Sequence, residues 1–122
     1  MKQTYQTGLD GERTAENWLR AHLGMVCLER RYRSAAGEID LIMKDGETFV
    51  FVEVKTRLNG VHGNGMLAVD RSKQRRIAQA ARLYLMHTGN LNRDCRFDIV
   101  EVCRGDVLHI PNAFQPGGMF FH

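Results

Sequence analysis

Three charged residues interrupt two apolar runs in the segment from Gly37 to Arg57, namely Asp40, Glu53 and Lys55. Charge inside an apolar strand is costly to bury unless a partner compensates it. Two neighbouring carboxylates repel each other, and a divalent cation with oxygen ligands is the usual way to stabilise such a pair. A lysine beside them adds a positive charge where a reacting anion would lie. The segment therefore predicts a divalent-metal site that acts on an anion.

The element that positions these residues is a predicted β-hairpin. Two β-prone runs, Ile39 to Met43 and Phe49 to Val54, flank the pair Asp45-Gly46, which is a favoured tight turn. Side chains alternate between the two faces of a strand, so Glu53 shares a face with Lys55. Val54 points to the other face, but its carbonyl is available to complete a metal shell.

Two registers are open for this hairpin. A two-residue loop pairs Lys44 with Glu47 and sets Asp40 opposite Phe51, diagonal to Glu53. A four-residue loop sets Asp40 directly opposite Glu53. Both registers keep the two carboxylates on one face, roughly 5 to 8 Å apart.

The same residues carry a resemblance to a known family. Glu38-x-Asp40, a variable turn and Glu53-Val54-Lys55 resemble the signature of the PD-(D/E)xK nuclease superfamily, with Ile39 where many members have proline. More narrowly, Gly-Glu-Ile-Asp-Leu-Ile and Phe-Val-Glu-Val-Lys-Thr-Arg resemble the YraN family of small bacterial proteins, related to archaeal Holliday-junction resolvases. The resemblance implies a restriction-endonuclease-like fold over roughly residues 8 to 110.

The resemblance also implies an activity. It indicates a DNA endonuclease that depends on Mg²⁺ or Mn²⁺, with Asp40 and Glu53 as metal ligands and Lys55 as a catalytic residue. Lys55 would orient or deprotonate the attacking water, or neutralise the transition state. We expect selection of branched or flapped DNA by structure, since little chain remains for reading bases. Two alternatives stay open: a nucleic-acid binder whose nuclease site is idle or needs a partner, and an adaptor module.

The amino-terminal region predicts an amphipathic helix from Leu9 to Leu23, preceded by a loose segment from Met1 to Thr7. Glu12 falls on or beside its apolar stripe. The helix dipole favours a glutamate in the first turn, but it does not explain why this glutamate lies on the stripe. The pattern Gly8-x-x-Gly11-Glu12-x-x-Ala15 resembles the family's amino-terminal motif. By that resemblance, Glu12 is a further catalytic residue that approaches the metal directly or through water.

Basic residues cluster in a second predicted helix, which Asp70 or Ser72 caps and which runs to about His87. Its basic residues have no acid between them: Arg71, Lys73, Arg75, Arg76 and Arg82. Such a cluster is typical of a phosphate-backbone contact, and the alternative is a solvated helix face. Lys73-Gln74 resembles a pair in the family and is predicted to point at the site.

Other basic residues flank the hairpin. A first strand is predicted from Met25 to Arg33, and its arginines Arg31 and Arg33 precede the hairpin, while Arg57 follows it. These arginines are placed to bind a phosphate, or they are solvated charges at the ends of strands.

The remaining segments complete the predicted order of elements. Leu58 to Val69 is glycine-rich and predicts a mobile loop carrying His62. Strands follow at Arg96 to Val102, where Asp98 is predicted to be structural, and at Val107 to Ile110, where Pro111 ends the strand. The tail Met119-Phe120-Phe121 is expected to dock on its own domain or on a second copy.

The predicted order is helix, three strands, helix and two strands. This order defines an α/β (α+β) fold in which two helices flank a mixed sheet of about five strands. It matches the restriction-endonuclease-like αβββαβ core. A chain of 122 residues is expected to form one domain, spanning residues 1–122.

Composition excludes several classes of protein. The longest apolar runs are too short to cross a membrane, and no secretory leader is predicted at the start. The three cysteines lack metal-site spacing and leave one unpaired, which favours the reducing cytoplasm. A net charge of +3 suits a polyanionic partner such as DNA. Junction resolvases act as dimers, so the resemblance leaves a homodimer open.

Overall fold

The computed structural model describes residues 2–57 and 69–115, with side chains for 8–57 and 69–115. The elements are α1 (Lys2–Leu23), β1 (Val26–Arg33), β2 (Glu38–Asp45), β3 (Thr48–Arg57), α2 (Arg71–His87), β4 (Cys95–Cys103) and β5 (Asp106–Phe114). This is the predicted order of helix, three strands, helix and two strands.

The five strands form one mixed sheet in the order β1-β2-β3-β4-β5. Strands β3 and β4 are parallel, and the other neighbours are antiparallel. The connection from β3 to β4 contains α2, as a parallel crossover requires. The predicted α+β class and the restriction-endonuclease-like core are therefore confirmed.

Each helix covers one face of the sheet, because alternate strand residues point to opposite sides. Ala15 and Leu19 of α1 pack on a cluster that contains Val50 and Val52 of β3. On the other face, α2 packs on the cluster that contains Phe49 and Phe51. This alternation along β3 places the side chains of Glu53 and Lys55 on the α2 face.

Helix α2 has the boundaries that its capping residues predict. Asp70 is the N-cap, and its side chain accepts a hydrogen bond from the backbone N–H of Lys73. All five predicted core residues of the helix are buried: Ile77, Ala80, Ala81, Tyr84 and Leu85.

The hairpin adopts one of the two predicted registers. Lys44 pairs with Phe49 and Leu41 pairs with Val52, which is the pairing predicted with a four-residue loop. Asp45 also pairs with Thr48, so the turn itself is Gly46-Glu47 and the predicted Asp45-Gly46 turn is wrong by one residue. The regular pairing ends at Leu41 and Val52, one residue before Asp40 and Glu53.

Two predicted boundaries are wrong. Helix α1 begins at Lys2 rather than Leu9, since the first residues are polar and their helical turns leave no apolar periodicity to read. Strand β5 runs through Pro111 to Phe114. It lies at an edge of the sheet, where a missing N–H on the outer side removes no ladder hydrogen bond. The predicted loop at 58–68 and the tail at 116–122 lie outside the described residues.

Candidate active site

A polar pocket of about 280 Å³ lies beside the first turn of α2. Two acids from neighbouring strands, Asp40 of β2 and Glu53 of β3, both line it. The full lining is Gly37, Glu38, Asp40, Glu53, Lys73, Arg76 and Ile77. The two carboxylates thus share one pocket, as both hairpin registers predict.

Asp40 interrupts the regular pairing of β2 with β3. Its Oδ2 accepts a hydrogen bond of 2.8 Å from the backbone N–H of Val54. Ile39 and Leu41, on either side of it, belong to the cores on opposite faces of the sheet, although regular alternation would put them on the same face. The break in alternation turns the Asp40 carboxylate towards β3, beside Glu53.

Burial and the neighbouring charge of Glu53 disfavour the charged form of Asp40. Burial, followed by the nearby charge of Glu53, raises the pKa of Asp40 to about 7. The hydrogen bond from Val54 opposes this shift but does not cancel it. A cation placed between the two acids would relieve the repulsion.

Two lysines supply positive charge in this structure. Lys55 Nζ lies 3.5 Å from Glu53 Oε1, and Lys73 Nζ lies 2.8 Å from the same oxygen. Burial and the neighbouring Lys73 lower the pKa of Lys55. Burial acts to lower the pKa of Lys73, but the hydrogen bonds to Glu53 and Lys55 and the charges of Glu53 and Asp40 together outweigh burial, and the pKa is raised.

The donor set fits a hard divalent cation. Asp40 and Glu53 offer carboxylate oxygens, and the N–H and C=O of one strand residue point to the same edge, which places the Val54 carbonyl on the side of Asp40. Within residues 8–57 and 69–115, no three His, Cys, Asp or Glu side chains are grouped as metal ligands. An ion held by the carboxylates of Asp40 and Glu53 would keep several water ligands, as Mg²⁺ does.

Glu12 of α1 is held by an arginine. Arg31 of β1 binds it through Nε at 3.0 Å and Nη2 at 3.4 Å, one to each carboxylate oxygen. Arg31 has a φ of 49°, an unusual backbone for a non-glycine residue, and lies across from Asp40 in the β1-β2 pairing. The negative charge of Glu12 still reaches Asp40 and contributes to raising its pKa.

The structure separates the predicted nucleic-acid contacts into three groups. Lys73 lies in the pocket, while Gln74 beside it donates from its side chain to the carbonyl of Val69. Arg71 and Arg75 are exposed on α2. At the strand ends, Arg33 pairs with Glu38, and Arg57 is partly buried at the end of β3.

Sequence reasoning assigned no role of their own to three acids. Glu38 lines the pocket, and Glu101 of β4 is fully buried in register with Lys55. A glutamate within the alternating apolar pattern of β4 is the signal that would have found Glu101. Glu16 of α1 is also buried and binds Arg30 through both of its oxygens at 2.7 Å.

His62 of the predicted loop lies outside the described residues. Among the helices that the structure describes, none has the length and apolar character needed to cross a membrane.

The sheet order and the two flanking helices define a restriction-endonuclease-like αβ core, with a cluster of charged residues on the α2 face. A family model described as "Uncharacterised protein family UPF0102" matches residues 11–102. The chain belongs to this family, in agreement with the predicted YraN kinship.

Relatives match over most of the chain. A UPF0102 protein of Geobacter metallireducens is 42% identical over 88% of this chain and 91% of its own length. One from Chromohalobacter salexigens is 46% identical over 78% of this chain and 76% of its own length. The UPF0102 protein YraN of Escherichia coli is 42% identical over 92% of this chain and 86% of its own length.

Proposed function

We propose that this protein is a metal-dependent endonuclease that hydrolyses phosphodiester bonds in DNA and selects its substrate by structure rather than by sequence. The observation that carries the proposal is a pocket lined by Asp40, Glu53 and Lys73, with Lys55 Nζ 3.5 Å from Glu53.

Asp40 and Glu53 would hold Mg²⁺ or Mn²⁺ together with the carbonyl of Val54. When bound, the ion supplies Lewis-acid polarisation of the scissile phosphate. Glu12 would contribute to the site through water or by orienting Arg31, which binds it.

Lys55 would act on the attacking water or on the phosphoryl charge. Its ammonium lies two residues beyond Glu53 on the same face, so a water or phosphate oxygen that contacts the ion would also contact this lysine. Burial lowers the pKa of Lys55, which brings its amine closer to the range in which a lysine serves as a general base.

The phosphate backbone of DNA would be bound by residues of α2 and of the strand ends. These are Arg71, Gln74 and Arg75 of α2 and the strand-end residues Arg31, Arg33 and Arg57. Arginine suits this task because its planar guanidinium presents several donors to phosphate oxygens. Backbone contacts of this kind position a duplex or a branch without reading bases, which supports selection by structure.

The test is cleavage of branched, flapped, single-stranded and duplex DNA with Mn²⁺, with EDTA as the blank. We expect cleavage by the parent protein, and a loss of about a hundredfold or more in Asp40→Asn and Lys55→Met, since each removes a group that acts on the transition state. Lys44→Met is the matched control. Lys44 of β2 lies over the ring of Phe49 of β3 and does not line the pocket. Equal cleavage by the parent and Asp40→Asn would refute the proposal.

A second candidate is a nucleic-acid-binding module whose nuclease site is idle or is activated by a partner. The 2.8 Å ion pair between Lys73 and Glu53 favours it, because that carboxylate is already compensated without a metal. Tight DNA binding that survives Asp40→Asn and Lys55→Met, with no cutting by the parent on any substrate, would establish this alternative.

A further inference from the structure

Two ammonium groups converge on one oxygen of Glu53. Lys73 Nζ is the closer at 2.8 Å, and Lys55 Nζ lies at 3.5 Å. The Glu53 side chain is only 7% exposed, so little water is available to share this oxygen. A carboxylate oxygen has about two lone-pair positions, and both are directed at lysines here.

A divalent cation bound by Glu53 would compete with these lysines. Like charges a few Å apart in a partly buried pocket repel strongly, so at least one ammonium must withdraw. Lys55 is fixed on the central strand β3, and its side chain is 19% exposed. Lys73 is 32% exposed and projects from the first turn of α2, so it has the freer path away from Glu53.

We infer that Lys73 occupies the cation position of Glu53 while the site is metal-free, and that divalent-metal binding releases its ammonium to hold a substrate phosphate. This inference rests on the proposed function and adds to it a coupling between metal binding and phosphate binding. Metal binding and phosphate binding then strengthen each other, because each one favours the released position of the same lysine.

The surroundings of Lys73 suit a released ammonium that meets phosphate. It lies at the amino-terminal end of α2, where backbone N–H groups favour anions. Arg76 lines the same pocket, one turn further along the helix, and adds a second phosphate donor.

The start of α2 does not depend on the side chain of Lys73. Its backbone N–H makes the capping hydrogen bond to Asp70, and that bond survives any replacement except proline. Lys73→Met therefore removes the charge and keeps the helix start, whereas Lys73→Arg keeps the charge.

The first experiment measures Mn²⁺ affinity in the full chain by electron paramagnetic resonance, without DNA. We expect Lys73→Met to bind Mn²⁺ about tenfold more tightly than the parent, the size expected from removing one partly screened unit charge beside the ion. Lys73→Arg and the control Lys44→Met should bind as the parent does. Equal affinity in the parent and Lys73→Met would overturn the inference and leave the proposed function standing.

The variant Glu53→Gln distinguishes a failure of the inference about Lys73 from a failure of the proposed function. It should abolish Mn²⁺ binding, and if it binds Mn²⁺ as the parent does, the ion lies elsewhere and the proposed function fails. Absence of Mn²⁺ binding in both the parent and Lys73→Met would also refute the proposed function.

The second experiment measures the coupling. Binding of a fluorescein-labelled oligothymidine is followed by anisotropy with and without Ca²⁺, which avoids cleavage. We expect Ca²⁺ to strengthen binding in the parent by severalfold more than in Lys73→Met. Equal strengthening in both would show that the released lysine does not hold phosphate, and would overturn that part of the inference.

Discussion

Asp98 of β4 is a fully buried acid whose hydrogen-bonding capacity is used in full. Its Oδ2 accepts from His109 Nε2 at 2.7 Å, and its Oδ1 accepts from the backbone N–H of Asn112 at 2.9 Å and from Arg96 Nε at 3.1 Å. Burial alone would raise the pKa of Asp98, but these hydrogen bonds outweigh it and lower the pKa. The contrast with Asp40, whose pKa is raised, separates a structural acid from one that would gain from a cation.

The lowered pKa of Asp98 predicts a pH dependence of stability. Since the folded-state pKa lies below the unfolded value of about 3.9, the ionised carboxylate stabilises the fold above that pH, and this contribution is lost as pH falls through the folded-state pKa. We expect Asp98→Asn to cost about 2–4 kcal/mol at pH 7 and to weaken the loss of stability below about pH 4. Urea unfolding followed by the fluorescence of Trp18 measures both effects.

Asp45→Asn is the control for this prediction. Asp45 also binds Arg96, at 3.2 Å, but its side chain is partly exposed. We expect a cost below about 1 kcal/mol at pH 7, because solvent screens exposed ion pairs. Equal effects of the two substitutions would show that burial of Asp98 does not set its contribution.

At the scale of elements, the close approach of α1 to β3 explains one glycine of the amino-terminal motif. A Cβ at Gly11 would overlap Oγ1 of Thr56, the residue after Lys55. Gly11 therefore lets α1 pack directly behind the strand that carries Glu53 and Lys55.

We expect Gly11→Ala to destabilise the fold by about 1–3 kcal/mol, because the overlap forces the helix or the strand to shift. A shift of β3 would also displace Lys55, so activity should fall beyond what the loss of folded protein explains. Thermal unfolding and cleavage rates measured on the same samples check this.

Gly8→Ala is the matched control on the same helix. A Cβ at Gly8 meets no atom within 4 Å, so the substitution should be neutral or stabilise by up to about 1 kcal/mol through helix propensity. A large loss of stability in this variant would mean that both glycines are needed for another reason.

At the scale of the whole molecule, α2 stands out because it carries five Lys and Arg residues and no acidic residue. Arg71, Arg75 and Arg76 are exposed on the helix whose first turn borders the pocket, while the net charge of the chain is only +3. A DNA backbone that enters the pocket would therefore meet α2 first.

We expect the double substitution of Arg71 and Arg75 by Gln to weaken DNA binding and to reduce the slope of log affinity against log salt by about 2, because each arginine would neutralise one phosphate. Anisotropy titrations over a series of salt concentrations measure the slope. The comparison is a double substitution of Arg20 and Arg93 by Gln, which removes the same charge from two exposed arginines away from the pocket. Equal changes in slope would point to net charge rather than to α2.

Local sequence patterns were sufficient to predict much of this structure. The hairpin of β2 and β3, the cap at Asp70 and the apolar stripe of α2 each depend on residues close together in the chain, so the sequence predicts them. The continuation of β5 through Pro111 could not be read in this way. Whether proline ends a strand depends on which edge it faces, and a neighbouring strand decides that.

The sequence by itself determined the order of elements and placed Asp40, Glu53 and Lys55 on one hairpin, since two β-prone runs on either side of a turn signal lie close together in the chain. Only the tertiary structure decided that Lys73 forms an ion pair with Glu53 and that Arg31 forms one with Glu12. Those partners come from different elements, and their distances depend on how each helix packs against the sheet. Packing is set by the whole apolar core at once, so no local pattern contains it.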